Sequence, residues 1–307
     1  MEYVRQFIDN FDCIIYHDPC MDGIGSAFIT YIYYNGNIQL IPTKIGDLVD
    51  EYKYKNKNVL MVDIVTPDYE IIKELSTNLI ILDHHVTNKD KLNGKDYAYF
   101  NMDKSGIGLV WEYFYQDKQL PLFLACLQDR DLWTWKIENS ETFSTGLFNS
   151  MYLDESDNKE QYIINIFNRF NKLYEEHLTL ELILFNEYLE IGKIFNKVKM
   201  SNIKLIVSSN KTLHFITINN KIYKVFIINY TGDAGSDIGN YVVNNTDAEF
   251  AILWRYNHET KEYYYSTRSN NNKVDVSEIC KYFNGGGHRN AAGFSSNINP
   301  HILLNID

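Results

Sequence analysis

"VLMVDIVTPDYEIIKELSTNLIILDHH", residues 59–85, contains two short apolar runs, each ending near an aspartate, with a stretch of helical character between them. The runs 59–64 and 79–83 are apolar on both faces, as parallel strands covered by helices must be. Thr66 is placed to cap the intervening helix over 67–75, and Pro67 to occupy its first position. The same alternation extends toward the N-terminus: Cys13–Tyr16 and Ile38–Ile41 read as further strands, and 22–35 and 46–53 as helices. This order predicts an α/β fold, with a doubly wound parallel sheet whose ligands sit beyond the carboxyl ends of its strands.

Beyond this region the pattern changes twice. Residues 155–195 carry Ile163, Phe167, Phe170, Leu173 and Leu178, then Leu182, Phe185 and Leu189, at helical spacing. A pair of helices or one long connector is expected there, with His177 packing on the apolar stripe. From about residue 200 the chain becomes strand-rich: "IKLIVS" (203–208), "TLHFIT" (212–217), "YKVFIIN" (223–229), "FAILWRY" (250–256) and "EYYYSTR" (262–268). Helices are expected at 235–245 and 276–283. Three parts follow: an N-terminal doubly wound parallel-sheet domain over 1–155, a helical connector over 156–198 acting as a hinge, and a smaller C-terminal α/β domain over 199–307.

The 307 residues are 45% hydrophobic with only 5 prolines, and no apolar run approaches the length of a membrane span. No charged-then-apolar leader opens the sequence, so a soluble, cytoplasmic protein without membrane partners is expected. Cys13, Cys20, Cys126 and Cys280 are scattered, which indicates neither a disulfide framework nor a zinc ribbon. A net charge of -11 opposes a grip on long duplex nucleic acid, which depends on neutralising phosphates with Lys and Arg. It leaves room for a small anionic substrate held by metals. The 24 tyrosines match the codon bias of an AT-rich genome and are not read as base-stacking platforms.

Chemistry-bearing residues gather at predicted strand ends. His17 closes the first strand, Asp22 opens the next helix, Asp63 closes "VLMVD", and Asp83, His84 and His85 close "LIILDHH". Singly, Asp22 is a helix cap, Asp63 a turn former and a strand-end histidine a structural group. Together they occupy three successive parallel-strand ends, which share one edge of the sheet. Oxygen ligands with some imidazole suit manganese or magnesium, and a carboxylate can bridge two ions about 3.5–4 Å apart in phosphate-ester hydrolysis. The chain has no phosphate-binding P-loop, and Phe28 stands where a dinucleotide fingerprint after Gly23 and Gly25 needs its third glycine. Cys20 as a nucleophile with His17 as base stays open, but leaves Asp63 and the Asp83-His84-His85 run without a task.

Near the C-terminus, Gly285, Gly286 and Gly287 would let backbone amides approach an anion, and His288 can donate to a phosphate oxygen. A turn before a last strand is the plainer reading. Arg268 is a candidate bidentate phosphate clamp, whereas Arg289 fits a solvated charge. Ser105, heading the helix-like segment 107–115, is either a simple cap or the start of an amide-lined anion site.

"LDHH" (82–85), with Asp22-Gly23 and Asp63 at earlier strand ends, resembles the DHH phosphoesterase superfamily. "DRDLW" (129–133) resembles that family's fourth metal-binding motif, and "FNGGGHRNAAGF" (283–294) the signature of its DHH-associated substrate domain. "STRSN" (266–270) and "DVSEICKYF" (275–283) precede the latter in the expected order. The resemblance implies that His17 and Asp63 hold one metal and that Asp22, Asp63, His84 and Asp129 hold the other, with Asp63 bridging. Asp131 is the rival of Asp129, which is preferred because Trp133 follows it at the family's spacing. Asp83 would orient a neighbouring histidine, and His85 would face the substrate phosphate. Cys20 departs from the pattern of most members, where an aspartate precedes Asp22 by two residues. It resembles a branch reading His-x-x-Cys-x-Asp-Gly, and Cys20 is either a ligand favouring softer metals or an apolar filler.

The family reading implies a metal-dependent phosphodiesterase that uses two divalent ions, most simply manganese, with magnesium, cobalt or zinc as alternatives. Its expected substrates are short oligonucleotides or linear dinucleotides, cut to nucleoside monophosphates in a cleft between metal domain and substrate domain. The alternatives are a cyclic-dinucleotide phosphodiesterase, a nucleotide 3′-phosphate phosphatase, and a non-catalytic nucleotide sensor. A homodimer is left open.

Overall fold

The computed structural model describes residues 8–116, 118–152, 158–210, 212–232 and 234–305. The chain divides into two compact units, Met1–Asn196 and Lys197–Asp307. Among the described residues, no helix is long and apolar enough to cross a membrane.

Strands β1 (Cys13–His17), β2 (Gln39–Thr43), β3 (Asn58–Val62), β4 (Asn78–Asp83) and β5 (Ala98–Phe100) make the first unit's sheet. All are parallel, in the order β2-β1-β3-β4-β5. Because side chains alternate across a strand, each strand feeds two cores. Ile14, Tyr16, Leu60 and Val62 pack on one face with Ile24 and Phe28 of α1 (Met21–Tyr33). Cys13, Ile15, Val59 and Met61 pack on the other with Tyr69 and Ile72 of α2 (Tyr69–Leu75) and Leu92 of α3 (Lys89–Leu92). Burial on both faces explains the unbroken apolar runs in the sequence.

The first core is completed by α4 (Gly106–Tyr115), α5 (Leu122–Asp131), α6 (Ser140–Tyr152), α7 (Lys159–Thr179) and the start of α8 (Ile183–Ser209). Phe167, Phe170 and Leu173 of α7 are buried in it, so the stretch expected to be a helical connector groups, up to Asn196, with the first unit. Its expected start, at 155/156, lies outside the described residues, and its expected end, at 198/199, falls within α8.

Strand order positions the site. From β1 the chain goes to β2 on one side and then crosses to β3 on the other, so a crevice opens at the carboxyl ends of β1 and β3. His17 and Asp63 stand at those ends.

The second unit has β6 (Leu213–Ile218), β7 (Lys221–Asn229), α9 (Gly235–Asn245), β8 (Phe250–Asn257), β9 (Glu262–Arg268), α10 (Val276–Tyr282), β10 (Gly286–His288), β11 (Ala291–Ser296) and α11 (Pro300–Leu303). Its sheet runs β10-β11-β9-β8-β7-β6, parallel only between β7 and β8. One face packs on α10, through Val276, Ile279 and Cys280, and the other on α9, through Ile238, Val242 and Val243.

Several expectations are corrected. The helix expected over 46–53 is only a single 3-10 turn, Glu51–Tyr54. Gly46 is left-handed (φ +87°), and Ile45 and Leu48 are exposed, so no core face rewards a helix there. Helix α2 begins at Tyr69, because the Tyr69 amide closes a turn onto the Thr66 carbonyl instead of Thr66 capping a helix from Pro67. "IKLIVS" is the end of α8, not a strand. Ile203, Ile206 and Val207 share a helical face toward the core while Leu205 stays exposed.

Phe28 is fully buried among the rings of Phe123, Phe167 and Phe170. Phe28→Ala is expected to destabilise the first unit by about 3–5 kcal/mol, read as a lowered denaturation midpoint. A shift below about 1 kcal/mol would mean that this aromatic cluster repacks freely.

Candidate metal centre

Asp63 immediately follows β3 with φ +58°, a left-handed conformation uncommon outside glycine but tolerated by aspartate. Its amide donates to the Leu82 carbonyl (3.0 Å), which ties the bend to β4. The carboxylate is thereby placed between two histidines. Oδ2 lies 3.2 Å from His17 Nδ1, and Oδ1 lies 3.2 Å from His84 Nε2.

Asp22, in the first turn of α1, is held by the N-terminus of α4. Its Oδ2 accepts from the Gly106 amide (2.5 Å) and its Oδ1 from the Ile107 amide (3.0 Å). Two glycines make this closeness possible. A Cβ on Gly106 would lie 2.7 Å from Asp63 Cβ and 2.8 Å from Asp22 Oδ2, and one on Gly23 would lie 2.0 Å from the His17 carbonyl oxygen. The requirement for glycine at 106 is legible only once β1, β3 and α4 are brought together.

His84 Nε2 is the hub, with Asp22 Oδ2 at 3.6 Å and Asp131 Oδ2 at 3.4 Å besides Asp63. His85 Nδ1 is 2.8 Å from Asp83 Oδ1, and Asn88 Nδ2 donates to Asp83 Oδ2 at 2.8 Å. Asn88, which sequence reading did not select, thus completes a fixed Asn88-Asp83-His85 chain. Three groups have ligand atoms within 4.8 Å of one another: His17, Cys20 and Asp63; Asp63, His84 and His85; Asp22, His84 and Asp131.

The electrostatics are those of an overcrowded anionic site. Burial and the charges of Asp63 and Asp131 push the Asp22 carboxyl well above the usual range, and burial also pushes Asp131 up. Burial would raise Asp63 too, but hydrogen bonds from His17 and His84 hold it down at about 2. Burial opposes charge on His84, yet the hydrogen bond to Asp63 and the charges of Asp22 and Asp131 outweigh it and push the ring up to about 9. The hydrogen bond to Asp83 likewise raises His85. Burial and the charges of Asp63 and Asp22 push the Cys20 thiol up, so it is a poor nucleophile. Carboxylate, imidazole and thiol donors carrying this much unneutralised charge fit a divalent cation.

Two expected site residues stand elsewhere. Asp129 faces away from the cluster. Its Oδ1 accepts from the Thr134 hydroxyl and the Lys136 amide (3.0 Å), and its Oδ2 from the Ile137 amide (2.9 Å) and the Ser140 hydroxyl (2.6 Å). Asp131 takes the position expected of it. Ser105 is fully buried, and the α4 amides it introduces are spent on Asp22, so this helix start is not open to a substrate anion.

In the second unit, His288 pairs with Ala291 and Ala291 with Arg268, which sets the two candidate phosphate donors in one row across β10, β11 and β9. Arg268 donates to the Ser236 hydroxyl (2.6 Å) and the Thr267 carbonyl (2.8 Å). Gly286, Gly287 and His288 are exposed on edge strand β10. Gly285 and Gly287 also have a packing role, since a Cβ at either would collide with β11.

Comparison with known proteins gives the family. The DHH family, N-terminal domain, is matched at residues 13–128, and the DHHA1 domain at 219–299. An uncharacterised protein of Acanthamoeba polyphaga mimivirus is 32% identical, over 94% of this chain and 68% of its own. A pGpG-specific phosphodiesterase, PggH, from Vibrio cholerae superposes over 95% of this chain and 96% of its own, at 11% identity and a TM-score of 0.52. RecJ in complex with Mn2+ from Thermus thermophilus does so over 95% and 50%, at 13% identity and a TM-score of 0.47. The fold and its acidic, imidazole-rich crevice define a metal-dependent phosphoesterase. The chain belongs to the DHH family and carries that family's DHHA1 domain.

A divalent ion held by His84 and Asp22 would have to displace their protons, so divalent-ion affinity is expected to rise with pH up to about 9. Calorimetry in buffers of different ionisation enthalpy should show proton release at neutral pH, and none would contradict a protonated His84. Asp131→Asn is expected to weaken manganese binding at least about tenfold with little change in melting temperature. Asp129→Asn should do the reverse; equal metal loss in both would return Asp129 to the ligand set.

Proposed function

We propose that the protein is a two-metal phosphodiesterase that hydrolyses short oligonucleotides or linear dinucleotides to nucleoside monophosphates. The observation that carries the two-metal reading is the Asp63 carboxylate, whose two oxygens face His17 on one side and His84 on the other. One ion would be held by His17 and Asp63, with Cys20 in reach, and the other by Asp22, Asp63, His84 and Asp131. Manganese suits the oxygen and imidazole donors, with cobalt or zinc favoured if the Cys20 sulfur ligates. Bound divalent ions would supply Lewis acidity, activating an attacking water and neutralising charge on the phosphoryl oxygens.

The chain's own residues do the rest. Asp22 is kept from swinging by two amides, and Asp63 by its left-handed backbone. Asp83, itself held by Asn88, orients His85 and keeps a proton on its ring, so that His85 can donate to the phosphate or to the leaving oxygen. Arg268, His288 and the amides of 285–287 are assigned to gripping substrate phosphate. The net charge of -11 favours small substrates over long duplex nucleic acid, and the fold likeness to a dinucleotide phosphodiesterase is in keeping with that preference.

The test is manganese-supported turnover of a diribonucleotide, a five-nucleotide RNA, cyclic dinucleotides, a nucleotide 3′-phosphate and pyrophosphate. The diribonucleotide is expected to be cut fastest. Asp63→Asn, whose side chain tolerates the left-handed backbone, should lower kcat/KM by about a thousandfold or more while the fold persists. Preferred turnover of a cyclic dinucleotide or a 3′-phosphate would reassign the substrate, and full activity in Asp63→Asn would overturn the two-metal reading.

A further inference from the structure

Of the four tryptophans, Trp133 alone is exposed, with 46% of its surface accessible. Exposure alone does not single it out, since Tyr52, Phe215 and Tyr282 are more exposed still; what sets Trp133 apart is its place in the chain and the loop that holds it. Trp133 lies two residues past Asp131, whose carboxylate is 3.4 Å from His84, so chain connectivity keeps its backbone within about 7 Å of the Asp131 backbone. Its backbone is left-handed (φ +53°), as is that of Trp135 (φ +50°), a conformation that bulky residues adopt only when their surroundings enforce it.

Asp129 does the enforcing. The Trp133 amide closes α5 onto the Arg130 carbonyl (3.0 Å) and the Thr134 amide onto the Asp129 carbonyl (3.1 Å). The Asp129 carboxylate then accepts from the Thr134 and Ser140 hydroxyls and from the Lys136 and Ile137 amides. Trp135 meets the Trp133 ring edge-on, with centroids 4.9 Å apart and planes at 66°. Four hydrogen bonds to one buried carboxylate thus fix a strained loop that follows directly on Asp131 and carries a braced, solvent-exposed indole.

We propose that Trp133 is the platform on which the nucleobase next to the scissile phosphate stacks, with Trp135 bracing it. The inference rests on the phosphodiesterase reading above and narrows its substrate class. Every base has a π-face, so stacking selects nucleotides over sugar phosphates or inorganic phosphates without reading base identity. Asp129, displaced from the ligand set, becomes the residue that positions this platform.

The test uses the manganese-loaded protein and two probes, AMP and ribose 5-phosphate, with binding measured by calorimetry. The wild type is expected to bind AMP about tenfold more tightly than ribose 5-phosphate. Trp133→Ala should abolish that preference while leaving ribose 5-phosphate affinity unchanged, and Trp133→Phe should keep most of it. Equal wild-type affinities, a preference that survives Trp133→Ala, or a loss of ribose 5-phosphate binding in that variant would each overturn the platform. For diribonucleotide turnover, Trp133→Ala should raise KM about tenfold with kcat little changed. A wild type that binds AMP through Trp133 but cuts no diribonucleotide would sink the phosphodiesterase reading and leave the platform standing. Diribonucleotide turnover without a Trp133-dependent AMP preference would do the opposite.

Discussion

The Asp63 carboxylate, held between His17 and His84, is the contact on which the site depends. It exists because the strand order puts β1 beside β3 and β3 beside β4, and a parallel sheet brings all three carboxyl ends to one edge. A strand continuing straight would carry the side chain past its partners. The left-handed turn at Asp63, secured by its amide on the Leu82 carbonyl, redirects it into the crevice. Strain at this residue is tolerated because buried β strands and two cores on either side hold the backbone in place.

Around this contact the fold concentrates negative charge that burial disfavours. Three carboxylates, Asp22, Asp63 and Asp131, approach one imidazole nitrogen. This crowding raises the proton affinity of His84 and of Asp22. The α4 amides offset part of the charge on Asp22, and Gly106 and Gly23 let the chain segments come close enough to do so. The same crowding of carboxylate and imidazole donors suits the cluster to a divalent ion. Cys20 belongs to this environment, since its thiol is held protonated beside Asp63 and His17, and ligation would require the metal to displace that proton.

Much of this was legible in the sequence, for definite reasons. Unbroken apolar runs signalled parallel strands because burial on both faces leaves no room for alternation, and acidic or histidine residues at successive run ends had to meet. The choice between Asp129 and Asp131 was not legible. Two residues along a helix are about 200° apart around its axis, so only one can face the cluster, and the sequence does not fix the phase. The downstream hydroxyls of Thr134 and Ser140 were the available sign that Asp129 had other partners. "IKLIVS" reads as a strand because its four apolar residues do not distinguish a helix face from a strand, and the helix expected over 46–53 does not form because left-handed Gly46 and exposed Ile45 and Leu48 leave it no core face. Trp133 passed as a motif residue because exposure is a property of the fold, not of the letter.

The most direct test of the central claim is anomalous scattering from crystals of the manganese-loaded protein. Two peaks about 3.5–4 Å apart, one beside His17 and the other beside Asp22, His84 and Asp131, with Asp63 between them, is the predicted result. A single peak, or two that do not share Asp63, would contradict it.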